Sequence, residues 1–372
     1  MIYLKKFWEN PLMRKIIIGT GIFIFILIFL LLIASCSSKS KTYTYEEIED
    51  LLVKKVKNKY EKSNNLPTLN NKKEISINEL INDGVMKPIN EYTNNMDSCS
   101  AKVTIYNNNG YYLYVPNINC ATNYKTTTLY NKIIEDSLTT TGNGLYLVNN
   151  RYIFKGDNIN NYVKLNDNLY QIIRINDNGT IRLIENKKKS MSVWDDRYNI
   201  DKNSAVGINN YYANNLNSRI KDNIESAYNN PDLYTDNDKA YFIPSEFCIG
   251  KRSINESDNS GNIECTEVAP AFPLGMLELY EYFNASLDPN CNNISSESCK
   301  NYNYFSDYNN SFWTMTADKD TTHKVFKISA GSVMLSNAQN QGNIKAVVNV
   351  SGDLVASSGI GSQEDPYIIK NY

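Results

Sequence analysis

The strongest hydropathy pattern in the chain is a run of apolar residues near its N-terminus. Ile16 to Ile33 reads IIIGTGIFIFILIFLLLI and contains no charged residue. As a helix at about 1.5 Å per residue, eighteen residues extend about 27 Å, which is just enough to cross a bilayer. A buried helix of a soluble protein is the alternative, and the absence of any polar face argues against it. We therefore predict a membrane anchor over residues 16–35.

The charges before this run predict its orientation. Four basic residues oppose one acid there: Lys5, Lys6, Arg14 and Lys15 against Glu9. Cytoplasmic flanks are enriched in Lys and Arg, so residues 1–15 are expected in the cytoplasm. The sequence thus predicts a single-pass protein of the cell membrane with residues 37–372 extracytoplasmic.

The end of the apolar run offers a second interpretation. Ile33-Ala34-Ser35-Cys36 resembles a bacterial lipobox, which implies lipidation of Cys36 and a hydrophilic tether over 36–42. Signal peptides, however, have a short basic lead and an apolar region of about 7–15 residues, and both parts are longer here. An uncleaved helix is therefore favoured, with a lipoprotein signal as the alternative.

Residues 43–125 predict a small unit of helices followed by a sheet. Tyr45 to Tyr60 has its apolar positions on one stripe, with acids early and lysines late, as an amphipathic helix requires. Ser76 to Ile81 predicts a short capped helix that ends at Gly84. Cys99 to Val115 then alternates around Asn107-Asn108-Asn109-Gly110, which predicts a β-hairpin.

Residues 126–143 are predicted to form a linker that acts as a hinge, and residues 144–372 are predicted to form a larger β-rich unit. Tyr162 to Ile184 alternates in three stretches and predicts a three-stranded meander. Asn209 to Ile224 is expected to be helical, with Leu216, Ile220 and Ile224 stacked. Four later stretches are predicted as closing strands of a single sheet system: 312–317, 324–328, 331–335 and 346–350. The fold class is therefore α+β.

Apart from Cys36, the cysteines fall as three neighbouring pairs. These are Cys99 with Cys120, Cys248 with Cys265, and Cys291 with Cys299. Outside the cytoplasm disulfides are the default, and we predict the nearest-neighbour pairing among the fifteen connectivities that six cysteines allow. Zinc would require paired CxxC or CxxH spacings, which are absent.

Charge and chemistry exclude several function classes. The chain has 38 basic and 40 acidic residues, and its sequence shows no concentrated basic segment. Nucleic-acid binding is therefore not expected. The single histidine, His323, lies in a predicted loop without a recognisable nucleophile elbow. Asp195, Asp196 and Glu246 could supply a hydrolytic carboxylate pair, although solvated surface acids are the commoner explanation.

No cofactor is predicted, and calcium is the one alternative. Asp236-Asn237-Asp238 and Asp318-Lys319-Asp320 offer oxygen ligands, but neither fits the calcium-binding loop pattern. Runs such as Asn107-Asn108-Asn109 are interpreted as codon bias rather than function.

The aromatic residues indicate a binding surface more strongly than the acidic residues indicate a catalytic or metal site. The chain contains 28 tyrosines. Tyrosine and tryptophan supply rigid amphipathic contact area, which suits binding surfaces. The predicted ligand surface comprises Trp194, Tyr211, Tyr212 and Trp313. Sheet packing and codon bias explain such residues equally well.

Two family resemblances add expectations. Residues 43–125, with Leu80 to Lys87 as an "LxxDGxMK"-like turn, resemble the globular part of type IV pilin-like and pseudopilin-like proteins. The apolar run lacks the Glu of prepilins. The later unit resembles an uncharacterised surface domain of Firmicutes-type bacteria, distantly like C-type-lectin-like and formylglycine-generating-enzyme folds. Four stretches carry this second resemblance: 162–166 with 169–172, Trp313-Thr-Met-Thr316, 345–350 and 359–369.

The resulting prediction is a membrane-anchored, non-catalytic surface protein that binds or adheres to a glycan, to cell wall or to a protein. Two alternatives remain open. A cell-wall or glycan hydrolase would place two carboxylates in a cleft. A minor component of a pilus-like or secretion assembly would be processed at the apolar segment.

Overall fold

A computed structural model describes residues 11–36, 42–93, 98–187, 190–201, 205–294, 296–307 and 311–372. The chain is a mixed α+β protein. Its first element is a helix, α1 (Pro11–Cys36). The window Pro11–Ile28 has a mean hydropathy of 2.0 and none of it is buried. By length and composition, α1 can cross a membrane. Residues 1–10 and 37–41, which hold most of the predicted cytoplasmic segment and tether, lie outside the described part.

The smaller of two hydrophobic cores is formed by residues 42–125. Thr44 caps helix α2 (Tyr45–Tyr60) through the backbone N–H of Glu47, and the side chain of Glu47 accepts from Thr44 N in return. The strands form one antiparallel sheet in the order β1-β2-β3-β4. The predicted helix and hairpin are confirmed. The elements are α2 (Tyr45–Tyr60), β1 (Lys72–Ser76), α3 (Ile77–Asn82), α4 (Ile89–Thr93), β2 (Ser100–Asn108), β3 (Tyr111–Cys120) and β4 (Tyr124–Lys125).

The segment predicted as a linker, 126–143, is instead built into the larger core. It contains α5 (Leu129–Ser137), which Thr128 caps. Leu129 and Ile133 are fully buried, and Leu129 N donates to Leu354 O at 2.7 Å. The prediction of a hinge was wrong because two apolar side chains on one face of α5 bury against the later unit.

The larger unit is organised around an eight-stranded sheet. Its main path runs β19-β9-β8-β7-β21-β20, and β6 joins β5 to β8. The predicted meander is confirmed as β7, β8 and β9, and β21 adds to β7 in parallel. The strands are β5 (Gly144–Val148), β6 (Arg151–Lys155), β7 (Tyr162–Leu165), β8 (Asn168–Ile175), β9 (Thr180–Glu185), β19 (Val347–Ser351), β20 (Ala356–Ser358) and β21 (Tyr367–Ile369).

A separate five-stranded sheet has the order β10-β18-β15-β16-β17. The predicted closing strands therefore do not form one sheet, because β15 to β17 belong here while β19 pairs with β9 in the larger sheet. The strands are β10 (Ser190–Val193), β15 (Phe312–Ala317), β16 (Lys324–Ser329), β17 (Ser332–Asn337) and β18 (Gln341–Ile344).

Short elements cover the two sheets. Helix α6 begins at Arg219 rather than at Asn209, because Asn214 and Asn215 take positive φ and turn the chain into a hairpin that leaves Leu216 exposed. Ser218 then caps α6. The elements are β11 (Tyr212–Ala213), β12 (Leu216–Asn217), α6 (Arg219–Asn229), α7 (Asp236–Tyr241), β13 (Ser245–Cys248), β14 (Val268–Phe272), α8 (Leu279–Asn284) and 3₁₀ turns at Glu264–Thr266, Glu297–Lys300 and Tyr304–Asp307.

The three disulfides have the nearest-neighbour pairing that was predicted from the sequence. Cys99–Cys120 brackets the hairpin of the small sheet, with the Cα atoms 4.2 Å apart. The Cys248–Cys265 and Cys291–Cys299 bonds close two loops of the larger unit. Cys36 is the last residue of α1, and its lipidation stays a prediction.

The two units dock through hydrogen bonds. The Asn108 amide donates to Ala240 O at 2.6 Å. At the C-terminal end, Lys57 Nζ donates to Tyr372 O at 2.7 Å, and the Tyr372 hydroxyl donates to Glu49 at 2.8 Å. These contacts fix the relative placement of the small sheet and the larger unit.

Candidate functional site

The candidate site is a cleft between the two units, with a volume of about 450 Å³. One wall comes from the small unit, from the loop before β1 and from strands β1 and β2. The other comes from the start of α5, the β8–β9 turn and the end of β19. Five side-chain amides line it: Asn70, Asn71, Asn108, Asn131 and Asn178. A concave surface with converging polar groups is the usual form of a ligand site. We call it the inter-unit cleft.

Four of these amides are fixed at one end by the protein. Asn70 Oδ1 accepts from Asn109 N at 2.8 Å, and Asn71 Nδ2 donates to Leu69 O at 3.0 Å. Asn108 Nδ2 donates to Ala240 O. Asn178 Oδ1 accepts from Thr180 N at 3.0 Å, as turn asparagines commonly do.

The other half of each of these four amides forms no hydrogen bond with any residue that the structure describes. Each amide is therefore oriented before a ligand arrives, and a donor or an acceptor remains for it. Preorganised groups lose little conformational entropy on binding.

Tyr106 crosses the base of the inter-unit cleft. Its hydroxyl donates to Asp353 Oδ2 at 2.8 Å and lies 3.0 Å from Ser351 Oγ. Burial, reinforced by the Asp353 carboxylate, raises the pKa of this hydroxyl above its usual value, which further favours the protonated form that donates. One tyrosine thus links the small sheet to β19 and orients the carboxylate at the site.

Beside Tyr130, a close contact between Gly352 and Gly179 forms part of the inter-unit cleft. A Cβ on Gly352 would lie 2.4 Å from Gly179 O and 3.1 Å from the Tyr130 Cβ. Only glycine allows this close approach of the two turns. Tyr130 N donates to Gly352 O at 3.0 Å, which places the half-buried Tyr130 ring along the wall. Polar amides and two tyrosine rings therefore border the same space.

The predicted ligand surface lies elsewhere and is mostly buried. Trp194 and Trp313 are fully buried and Tyr211 is 5% exposed, and the two indole rings pack 5.9 Å apart. These residues are large and apolar, and Trp194 also packs against Tyr211, with the ring centroids 5.8 Å apart. Tyr212 is half-buried and its hydroxyl donates to Asn215 at 3.1 Å. The prediction of a shared ligand surface was wrong for Trp194, Tyr211 and Trp313.

The predicted acids serve local structure and do not line the inter-unit cleft. Asp195 is buried in an ion pair with Arg197, Asp196 lies 3.6 Å from Arg219, and Glu246 is exposed on β13.

The two calcium motifs also have structural roles. Asp238 completes the capping box of α7 with Thr235. Asp318 accepts from Thr321 Oγ1 at 2.8 Å. Within the described residues, no three His, Cys, Asp or Glu side chains come together as metal ligands. His323 is half-buried in the loop before β16, and its backbone carbonyl accepts from Ala338 N at 2.8 Å.

A buried ionic cluster that the sequence did not reveal joins the large sheet to α8. Arg174 Nη1 and Arg182 Nε each lie 2.6 Å from Glu281 Oε1. Glu278 accepts from Cys248 N at 2.8 Å. Burial raises the pKa of Glu278, and the two arginines oppose that shift. The carboxylates are closed off from solvent, so we assign this cluster to fold stability.

The cleft residues were missed because asparagine runs were attributed to codon bias. Asn108 belongs to such a run, and positive φ at the adjacent Asn109 marks the tight turn that presents it. The sequence contains this turn signal. It does not show that the turn lies across the inter-unit cleft from α5.

Comparison with protein-family models, with curated proteins and with solved structures gave no significant match. The resemblances to pilin-like and C-type-lectin-like domains therefore stay predictions.

Proposed function

We propose that the protein is a membrane-anchored, extracytoplasmic and non-catalytic carbohydrate-binding protein, and that it holds a saccharide in the inter-unit cleft. The observation that carries this proposal is the set of four amides that the protein fixes at one end, while the other end forms no hydrogen bond with a described residue. Sugar hydroxyls both donate and accept hydrogen bonds, so they match amide donors and acceptors presented together. The tyrosine rings supply flat apolar area for the C–H faces of a sugar.

The charge of the lining favours binding over hydrolysis. Among the described residues that line the inter-unit cleft, Asp353 is the one carboxylate. Glycoside hydrolysis ordinarily uses two carboxyl groups across the scissile bond. A single carboxylate hydrogen-bonded by Tyr106 supports orientation of a sugar hydroxyl instead.

Three features support the extracytoplasmic location. Helix α1 is long and apolar enough to span a bilayer, and the basic residues before it favour a cytoplasmic N-terminus. The three disulfides fit an oxidising compartment. In this arrangement the inter-unit cleft faces the cell exterior, where polysaccharides are accessible.

The proposal is tested by presenting the full-length protein, in detergent micelles, to an array of bacterial and host saccharides and by titrating the retained ligands calorimetrically. Asn131→Ala removes a lining amide from α5 and replaces it with a good helix former. The loss of one or two hydrogen bonds is expected to weaken binding about tenfold.

Asn78→Ala is the matched control, because Asn78 is exposed on α3 and lies outside the inter-unit cleft. Retention of intact saccharide, weakened by Asn131→Ala and unchanged by Asn78→Ala, supports the proposal. No retention, or equal affinity of both variants, would overturn it. Shortened products would favour the hydrolase alternative.

A further inference from the structure

Lys72 places a positive charge at the inter-unit cleft. It is the first residue of β1 and lies opposite Tyr106 on β2. Its side chain is exposed and lines the cleft, with the ammonium 5.9 Å from the centre of the Tyr106 ring. The ammonium therefore stands beside the amides on the small-unit wall.

The neighbouring charges of this sheet are already engaged. Lys102 pairs with Glu74 at 2.9 Å. Lys73 Nζ donates to Asn65 Oδ1 at 2.7 Å, and successive residues of a strand point to opposite faces. Among the described residues, no carboxylate lies within 4.0 Å of Lys72 Nζ. Across the cleft, the Asp353 carboxylate accepts a hydrogen bond from the Tyr106 hydroxyl.

We propose that Lys72 makes the inter-unit cleft selective for an anionic saccharide, one that bears a carboxylate or a phosphodiester. This inference rests on the proposed function. The Lys72 ammonium contacts the anionic group of the ligand, while the amides and Asp353 take its hydroxyl groups. A lysine acts as a point charge toward either anion, so the shared feature is negative charge beside neutral sugar hydroxyls.

The test uses the full-length protein in detergent micelles at low ionic strength. Three probes of equal length are titrated: a neutral oligosaccharide, a uronate-containing oligosaccharide and a polyol-phosphate oligomer. The wild-type protein is expected to bind at least one anionic probe about fivefold more tightly than the neutral one, and added salt should reduce this preference. The two anionic probes distinguish a carboxylate from a phosphodiester.

Substitutions on β1 test whether the preference for anionic probes depends on the Lys72 side chain. Lys72→Gln should abolish the preference for the anionic probes over the neutral probe, and Lys72→Arg should retain it. Lys73→Gln removes the same charge one residue away, on the other face of the strand, and should behave like wild type. Equal losses in Lys72→Gln and Lys73→Gln would show a general electrostatic effect and overturn the inference.

Failure of the inference and failure of the proposed function give different results. Binding of the neutral probe without preference for either anionic probe contradicts the role of Lys72 alone. Absence of binding by every probe and by the saccharide array contradicts both.

Discussion

Lys345, which follows β18, is a lysine buried in the larger unit and predicts a specific pH dependence of stability. Its side chain is 5% exposed, and its ammonium lies 5.7 Å from the centre of the Phe312 ring. Burial lowers the pKa of this amine from 10.5 to about 7, against an opposing effect of Glu185. Desolvation disfavours the charged form, so the folded protein holds this lysine neutral above that pH.

The sign of the effect follows from proton binding. Between about pH 7 and 10.5 the unfolded chain binds this proton and the folded chain does not. The contribution of Lys345 to stability must therefore rise with pH across this window, by up to about 1.4 kcal/mol per pH unit. From pH 7 to pH 9 the contribution is about 2 kcal/mol. Well below pH 7, both the folded and the unfolded chain bind this proton, so the destabilisation caused by burying Lys345 reaches its maximum and no longer changes with pH.

Replacing the amine removes this dependence. Lys345→Met keeps a long flexible side chain and should stabilise the protein at pH 7 by about 2–4 kcal/mol, with the gain shrinking as the pH rises to 9. The assay is urea unfolding in mild detergent at pH 7, 8 and 9, followed by the fluorescence of the buried Trp194 and Trp313.

Lys319→Met is the control, because Lys319 is exposed. Burial also lowers the pKa of Lys327, to about 8, but both variants retain that lysine, so their difference isolates Lys345. If the stability of Lys345→Met changes with pH in parallel with that of Lys319→Met at all three pH values, Lys345 is not held neutral in the folded protein.

Three further predictions concern stability, each measured by the same unfolding assay. Trp313→Ala should cost about 3–5 kcal/mol because it empties a fully buried site, whereas Tyr198→Ala, at a ring that is 68% exposed, should change little. Replacing the Cys248–Cys265 pair by serines should cost about 2–4 kcal/mol, and an unchanged midpoint would contradict a structural role. Ile133→Ala should cost about 2–4 kcal/mol, while a free linker over 126–143 predicts no loss.

Local patterns predicted the elements whose signals lie within a few residues. The stripe of Tyr45–Tyr60 and the turn asparagines between β2 and β3 specify structure through period and φ alone. The same holds for the β7–β9 meander. Where a turn signal was overlooked, the prediction failed. Asn214 and Asn215 form the turn of the hairpin before α6, so Leu216 lies on a strand of that hairpin and is not part of the helical stripe.

Long-range pairings and burial could not be predicted in this way. The parallel addition of β21 to β7 joins strands about 200 residues apart, with Tyr367 opposite Val163, and no local pattern encodes it. The burial of Trp194 and Trp313 depends on which elements cover them. The inter-unit cleft likewise exists only because Asn108 and Tyr106 dock against α7 and β19.

Hydrogen–deuterium exchange of the full-length protein, with and without a retained saccharide, can locate the saccharide on the folded chain. We expect slower exchange on both walls of the inter-unit cleft, at residues 70–72 and 106–108 of the small unit and 128–131, 178–180 and 351–353 of the larger unit. Protection confined to another surface, or to one unit alone, would contradict a saccharide site between the two units.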